Sequence, residues 1–169
     1  ANTLGIKWIA GPFLNTTNSY ALLALKEAGN CSGAFISNEI NAQQIKNIAR
    51  PENFSLFYSI YHPILLMTSR QCFFQQSVGC EKPRIDNGCM LSCDKSTSIL
   101  NMEIIEDLSP LFDGFMIDLT NIGAGDRQSP DKTLLISQFE NLLKHQSLAQ
   151  QALKTLIPES TNIQYYNGL

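Results

Sequence analysis

The chain has 169 residues, of which 44% are apolar and 16% charged, and its formal net charge is −3. That length suits one domain of ordinary size, with enough apolar residues for a core and too little charge for a disordered tail. The acidic balance argues against a free-standing nucleic-acid binder, which shows a basic excess.

No apolar run approaches the roughly 18 residues needed to span a bilayer. The opening ANTLGIKWIAGPF lacks the basic segment and apolar run of a signal peptide. A reducing, cytoplasmic setting without membrane contact is therefore expected.

From the amino terminus, IKWIAGPF reads as a buried strand running into Gly11-Pro12. TNSYALLALKEAG reads as a helix: Thr17 or Asn18 caps it, Ala21, Leu22, Leu25 and Ala28 form one face, and Gly29 ends it. CSGAFIS is the next short strand, and Asn41 to Ala49 a short helix closed by Arg50-Pro51. FSLFYSIYH and ILLMTS follow as apolar strands separated by Pro63. STSILNMEIIED is expected to form a strand or hairpin, and GFMIDLT a buried strand ending in Asp118. Ser129-Pro130-Asp131 opens a helix whose face carries Leu134, Leu135, Phe139, Leu142 and Leu143. Ser147 is the expected cap of a last helix reaching Ile157.

This alternation is an α/β pattern, and the near-continuous apolar strands predict a parallel sheet covered on both faces. Function gathers at the carboxyl ends of the strands in such folds. Glu39 and Asp118 are the candidate catalytic groups there, set against a purely structural reading of helix capping and loop bonding. Asn15 and Asn18 are divided in the same way between substrate hydrogen bonding and capping. Arg70 suits an anionic substrate carboxylate through its bidentate fork, or a salt bridge that fixes the following loop.

Four of the five cysteines, Cys72, Cys80, Cys89 and Cys93, follow the pattern C-x7-C-x8-C-x3-C. Cys89 and Cys93 stand four apart, so a helical turn puts both sulfurs on one face. Gly79 and Gly88 permit the bends that a metal loop needs. Four such thiolates hold Zn²⁺ or an iron–sulfur cluster. The spacing matches neither a zinc ribbon nor the ferredoxin runs. Two disulfides are the competing reading, which the odd fifth cysteine opposes. Cys31, opening an apolar strand, reads as a small buried hydrophobe.

The segments GPFLNTTNSYALLALKEAG, GAFISNEINAQQI and YHPILLMTSRQC, with the cysteines after them, resemble peptidase family U-thirty-two. The likeness spans about residues 5–95, and FMIDLTNIG extends it to about 123. The resemblance implies a partial (β/α)8 barrel-like parallel sheet with a four-cysteine insertion. It divides the chain into barrel-type units at 1–70, a cysteine-rich insertion at 71–108, and a final strand, helices and tail at 109–169. It further implies a [4Fe-4S] cluster on Cys72, Cys80, Cys89 and Cys93, zinc being the alternative, in an RNA-modifying or small-molecule hydroxylase. A collagenase-like peptidase and a non-catalytic zinc-stabilised binding module are the other readings.

The resemblance makes the chain the later part of a longer protein, whose missing N-terminal barrel portion is its expected partner. Self-association, or cover from its own segment NIQYYNGL, is the expected alternative, with RNA contact arising only through the full-length protein. Protease chemistry finds little support in the residues. H-E-x-x-H and G-x-S-x-G motifs are absent, and His62 and His145 are better read structurally.

Overall fold

The computed structural model describes residues 5–64, 68–69, 89–90, 98–120, 131–158 and 160–168. Strands and helices alternate along it, giving a mixed α/β fold. The chain clusters into two units. The first comprises Ala1–Tyr61, Leu100–Asp118 and Thr161–Leu169, and the second His62–Ile99 and Leu119–Ser160.

The first unit is built on parallel pairing. Strand β1 (Trp8–Ala10) pairs with β2 (Cys31–Ile36), β2 with β3 (Ser55–Pro63), and β3 with β7 (Gly114–Ile117), all parallel. Strands β6 (Ser98–Leu100) and β8 (Ser160–Thr161) follow β3 in the sheet order. Burial along β3 is almost continuous from Leu56 to Tyr61, as expected of a parallel strand covered on both faces.

Gly33 lets β2 and β3 approach. A Cβ at this position would lie 2.7 Å from the Ser55 carbonyl oxygen and 3.0 Å from the Phe57 ring.

The connections follow local capping chemistry. A 3-10 turn at Pro12–Leu14 ends in Asn15, whose φ of 53° is left-handed, and leads to α1 (Ser19–Glu27). Asn18 caps α1 by accepting from the Ala21 amide at 2.9 Å, so of the two expected caps it is Asn18 that acts. Helix α2 (Ala42–Lys46) carries a capping box, in which Asn41 and Gln44 exchange side-chain-to-amide bonds of 2.9 Å.

The STSILNMEIIED segment is not a hairpin. It gives β6 and then helix α3 (Glu103–Leu108). Asn101 Oδ1 accepts from the Ile104 amide at 3.3 Å, while Ile104, Ile105 and Leu108 turn one face into the core. That apolar spacing is helical, and the cap starts it.

At the amino end of β3, Arg50 Nε donates to the Phe54 carbonyl at 2.7 Å and its guanidinium meets Asp113 at 2.8 Å. Asp113 also accepts from the Leu56 amide at 2.8 Å. Burial alone would raise the Asp113 pKa. The Leu56 amide and Arg50 outweigh it and hold the carboxyl below its usual range. This registers β7 against β3.

The second unit contains the antiparallel pair β4 (Thr68–Ser69) and β5 (Cys89–Met90), and helices α4 (Lys132–Leu143) and α5 (Ala149–Leu156). Asp131, the last residue of the expected Ser129-Pro130-Asp131 start, caps α4 through the Thr133 and Leu134 amides. Only Leu135, Phe139 and Leu142 of its expected apolar face are buried; Leu134 and Leu143 are exposed. His145, with φ at 56°, ends α4 in a Schellman arrangement: its amide bonds Leu142 O at 2.9 Å and that of Gln146 bonds Asn141 O at 3.0 Å. Helix α5 has no side-chain cap, so Ser147 does not play the expected part.

The tail adds helix α6 (Ile163–Asn167), which the sequence reading left without a structure. It belongs to the first unit, and Tyr165 is its buried residue.

The expected metal centre needs correction. Metal binding requires several donors converging on one point. Among the described residues, no group of three or more His, Cys, Asp or Glu side chains is placed to hold an ion. Cys31 is a free, buried thiol whose Sγ donates to the Gly33 carbonyl at 3.3 Å. Arg70, Cys72, Cys80 and Cys93 lie outside the described residues, and Cys89 is described only through its backbone in β5. Among the described residues, no helix is long and apolar enough to cross a membrane.

Candidate functional site

The parallel strands of the first unit bring their carboxyl ends together, and polar side chains collect there. Thr16 follows β1, Ser37 and Asn38 follow β2, Tyr58 and Ser59 lie within β3, and Asn101 precedes α3. All but Asn38 are buried.

Backbone bonds set the frame. The Ser37 amide donates to Thr16 O at 2.9 Å, and the Asn101 amide donates to Ile60 O at 2.9 Å. Side-chain bonds fill it. Asn38 Nδ2 donates to Ser59 O at 2.9 Å, and Asn101 Nδ2 donates to the Tyr58 hydroxyl at 3.0 Å. The Glu39 amide donates to Ser37 Oγ at 3.2 Å.

Burial pushes the Tyr58 phenol up to about 12, although its hydrogen bonds with Asn101 and Asn38 favour the charged form. Tyr58 therefore stays neutral at physiological pH, able to donate and to accept one hydrogen bond.

Two hydroxyls in this group have no hydrogen-bond partner. Thr16 Oγ1 and Ser59 Oγ are both buried and unmatched. An unsatisfied buried polar group costs about 1–3 kcal/mol, so each of the two calls for an explanation.

The side chains read from the sequence take different places. Asn15 is exposed at the end of the 3-10 turn, and Asn18 is committed to capping α1. Glu39 is exposed just past β2, and it does not cap α2, since Asn41 does. Asp118 is half-buried past β7, with its amide donating to Tyr61 O at 2.7 Å. Strands β2 and β7 both pair with β3, so Glu39 and Asp118 leave the same end of one sheet from different strands.

Tyr58, Ser59, Thr16 and Asn101 were not anticipated as site residues. The available signals were a serine inside an otherwise apolar strand and an asparagine three residues ahead of Ile104.

Two basic side chains are engaged at the amino end of β3, Arg50 there in an ion pair with Asp113. Lys26 Nζ donates to Asn53 O at 3.3 Å, and Arg50 is held by Phe54 and Asp113; both sites adjoin the amino end of β3. Glu39 and Asp118 adjoin the carboxyl ends. The polar cluster itself is made of hydroxyls and amides.

In the second unit, α4 and α5 enclose an open groove of about 340 Å³, lined by residues that include Leu134, Leu148, Ala152 and Leu156. It carries no ionisable side chain and offers no chemistry of its own.

Against known proteins, the chain matches no family model, no curated protein and no solved structure. With neither a set of metal ligands among the described residues nor a matching family behind them, the iron–sulfur hydroxylase, zinc-module and peptidase readings do not stand.

Proposed function

We propose that the first unit binds a small, uncharged polar molecule at the carboxyl ends of β1, β2 and β3. The observation that carries this reading is the pair of buried, unpartnered hydroxyls, Thr16 Oγ1 and Ser59 Oγ, on residues whose backbone carbonyls accept from the Ser37 amide and from Asn38 Nδ2. The carboxyl end of a parallel sheet is the usual place for a ligand in α/β folds. Neutral donors and acceptors, with Glu39 and Asp118 nearby and Lys26 and Arg50 held at the opposite end, favour an uncharged polyol, sugar or nucleoside over a phosphate.

The test follows amide chemical shifts while neutral sugars, nucleosides and inorganic phosphate are titrated in separately. The expected result is saturable shifts at Ser37, Asn38, Ser59 and Asn101 with a neutral compound, lost in Asn38→Ala, and none with phosphate. Shifts with phosphate alone, or no saturable shift with any neutral compound, would overturn the reading.

A second reading concerns the sheet edge. Strand β1 ends the sheet order and pairs only with β2 among the described residues. Around it Ile6 is 57%, Ile9 47%, Phe13 83% and Leu14 56% exposed. Open edges beside apolar surface invite strand pairing. This supports a partial barrel-like sheet that takes a further strand at β1, from the rest of a longer protein or from a second copy of this chain. The isolated chain is expected to sediment above its monomer mass at tens of micromolar. Ile9→Lys should return it to the monomer with its circular dichroism unchanged. A wild-type monomer throughout that range would refute the open-edge reading.

A further inference from the structure

We infer that helix α6, with Asn162 and Gly168 at its ends, is a latch over the Tyr58 cluster; this rests on the ligand-binding reading above. Its two ends are tied to different parts of the first unit. Asn162 Nδ2 donates to Glu103 Oε2 at 2.8 Å and the Tyr165 hydroxyl donates to Asp107 Oδ2 at 2.9 Å, so both bonds end on α3. Gly168 sits on the loop that leaves β2: a Cβ there would lie 3.3 Å from Gln44 Oε1, 3.6 Å from Glu39 O and 3.7 Å from the Asn41 amide nitrogen. The helix thus bridges α3, which Asn101 caps, and the chain leaving Asn38.

Tyr165 is the residue that faces inward. Burial and the Asp107 carboxylate raise its pKa, and the Tyr58 phenol lies close enough to add to the shift. Tyr58, which Tyr165 approaches, and Asn101 are each 1% exposed, and Thr16 and Ser59 are 2% and 0% exposed. A ligand therefore reaches Thr16 Oγ1 or Ser59 Oγ only after something moves.

Helix α6 is the element least able to resist moving. It has five residues, and Tyr165 is the one buried among them, while Ile163 is 56% and Tyr166 61% exposed. Gln164 Oε1 is buried without a partner, which offsets part of what the two bonds to α3 contribute. Segments with little apolar burial open locally at a small fraction of the global unfolding free energy. A closed latch with an unsatisfied amide, in a unit that also holds two unsatisfied hydroxyls, is a state that ligand binding can exchange for a better-bonded one.

The experiment is hydrogen exchange by NMR on the full chain without ligand, comparing wild type with Tyr165→Phe. The variant keeps the ring and loses only the bond to Asp107. Loss of a hydrogen bond to a charged group should speed opening roughly tenfold or more. The expected result is that the Tyr165 and Gly168 amides and the side-chain NH₂ protons of Asn38 and Asn101 accelerate together, by a common factor. The Phe35 and Phe57 amides should not change.

Two outcomes overturn the latch. In one, the α6 amides accelerate while the Asn38 and Asn101 side-chain protons stay put, which is simple fraying. In the other, α6 exchanges only by global unfolding in both proteins, with the rate and denaturant dependence of β3. Asn162→Ala, which cuts the Glu103 tie without touching the buried ring, provides an independent repeat. Failure of the ligand reading would show differently, as a titration without shifts in a protein whose coupled exchange persists.

Discussion

Gly33→Ala is expected to destabilise the protein by about 2–3 kcal/mol, the upper part of the roughly 1–3 kcal/mol typical of forcing extra volume into a packed interior. The new methyl would sit 2.7 Å from the Ser55 carbonyl oxygen. That oxygen is backbone, fixed by the parallel register that sets Gly33 against Ser55. No rotamer change relieves the clash, so β2 and β3 must separate or slip.

Gly114 offers the control. A methyl there would meet the Phe57 ring at 3.2 Å, and a ring edge can tilt by a few tenths of an ångström. Gly114→Ala should therefore cost clearly less. Thermal melts decide the matter, since about 1 kcal/mol shifts the midpoint by roughly 2–4 °C for a chain of this size. A Gly33→Ala protein that melts with the wild type, or a Gly114→Ala protein that melts lower than it, would refute the register argument.

Asn101→Ala is expected to cost about 2–4 kcal/mol, from two buried hydrogen bonds lost together at about 1–3 kcal/mol each with some relaxation. The side chain is 1% exposed and bonds at both ends. Its Nδ2 serves the Tyr58 hydroxyl at 3.0 Å, and its Oδ1 serves the Ile104 amide at 3.3 Å. Removing it takes one of two side-chain partners from a buried phenol, leaving Asn38, and takes the cap from α3.

Tyr58→Phe in the same background discriminates between these parts. If the phenol contact matters, the double variant should be less damaged than the sum of the singles, because the phenol no longer needs a partner. Denaturant titration gives the three free energies. Strict additivity would show that Asn101 acts through the helix cap alone.

The short periodic elements of the first unit were legible because their signals are local. The α1 helix could be read from an apolar face and a cap, and Asn18 supplies the cap. Strands β2 and β3 could be read from near-continuous apolar runs, which are what a doubly covered parallel strand requires. The segment after β6 was misread because SILNMEIIEDL holds β-branched residues suited to either structure. Asn101 Oδ1 on the Ile104 amide, and burial of Ile104, Ile105 and Leu108 on one face, settle it as helix. The tail was passed over because five residues carry too little periodicity to register.

The candidate site was less legible. Glu39 and Asp118 drew notice because carboxylates are conspicuous, yet Glu39 is exposed. The cysteines drew notice because four thiols stand close in sequence, whereas a metal site needs donors that converge in space, and Cys72, Cys80 and Cys93 lie outside the described residues. Among the described residues no set of donors converges in this way.

Composition and apolar patterning by themselves determined an α/β chain and the order of its main strands and helices. These follow from hydrophobic period and capping, which are properties of neighbours along the chain. Only the tertiary structure decided which polar groups meet. Asn101 reaches Tyr58 across 43 residues, and Tyr165 reaches Asp107 across 58. Such pairings are set by strand register and helix placement, and no local pattern encodes them. The burial that leaves Thr16 and Ser59 without partners arises in the same way, from elements packed over them.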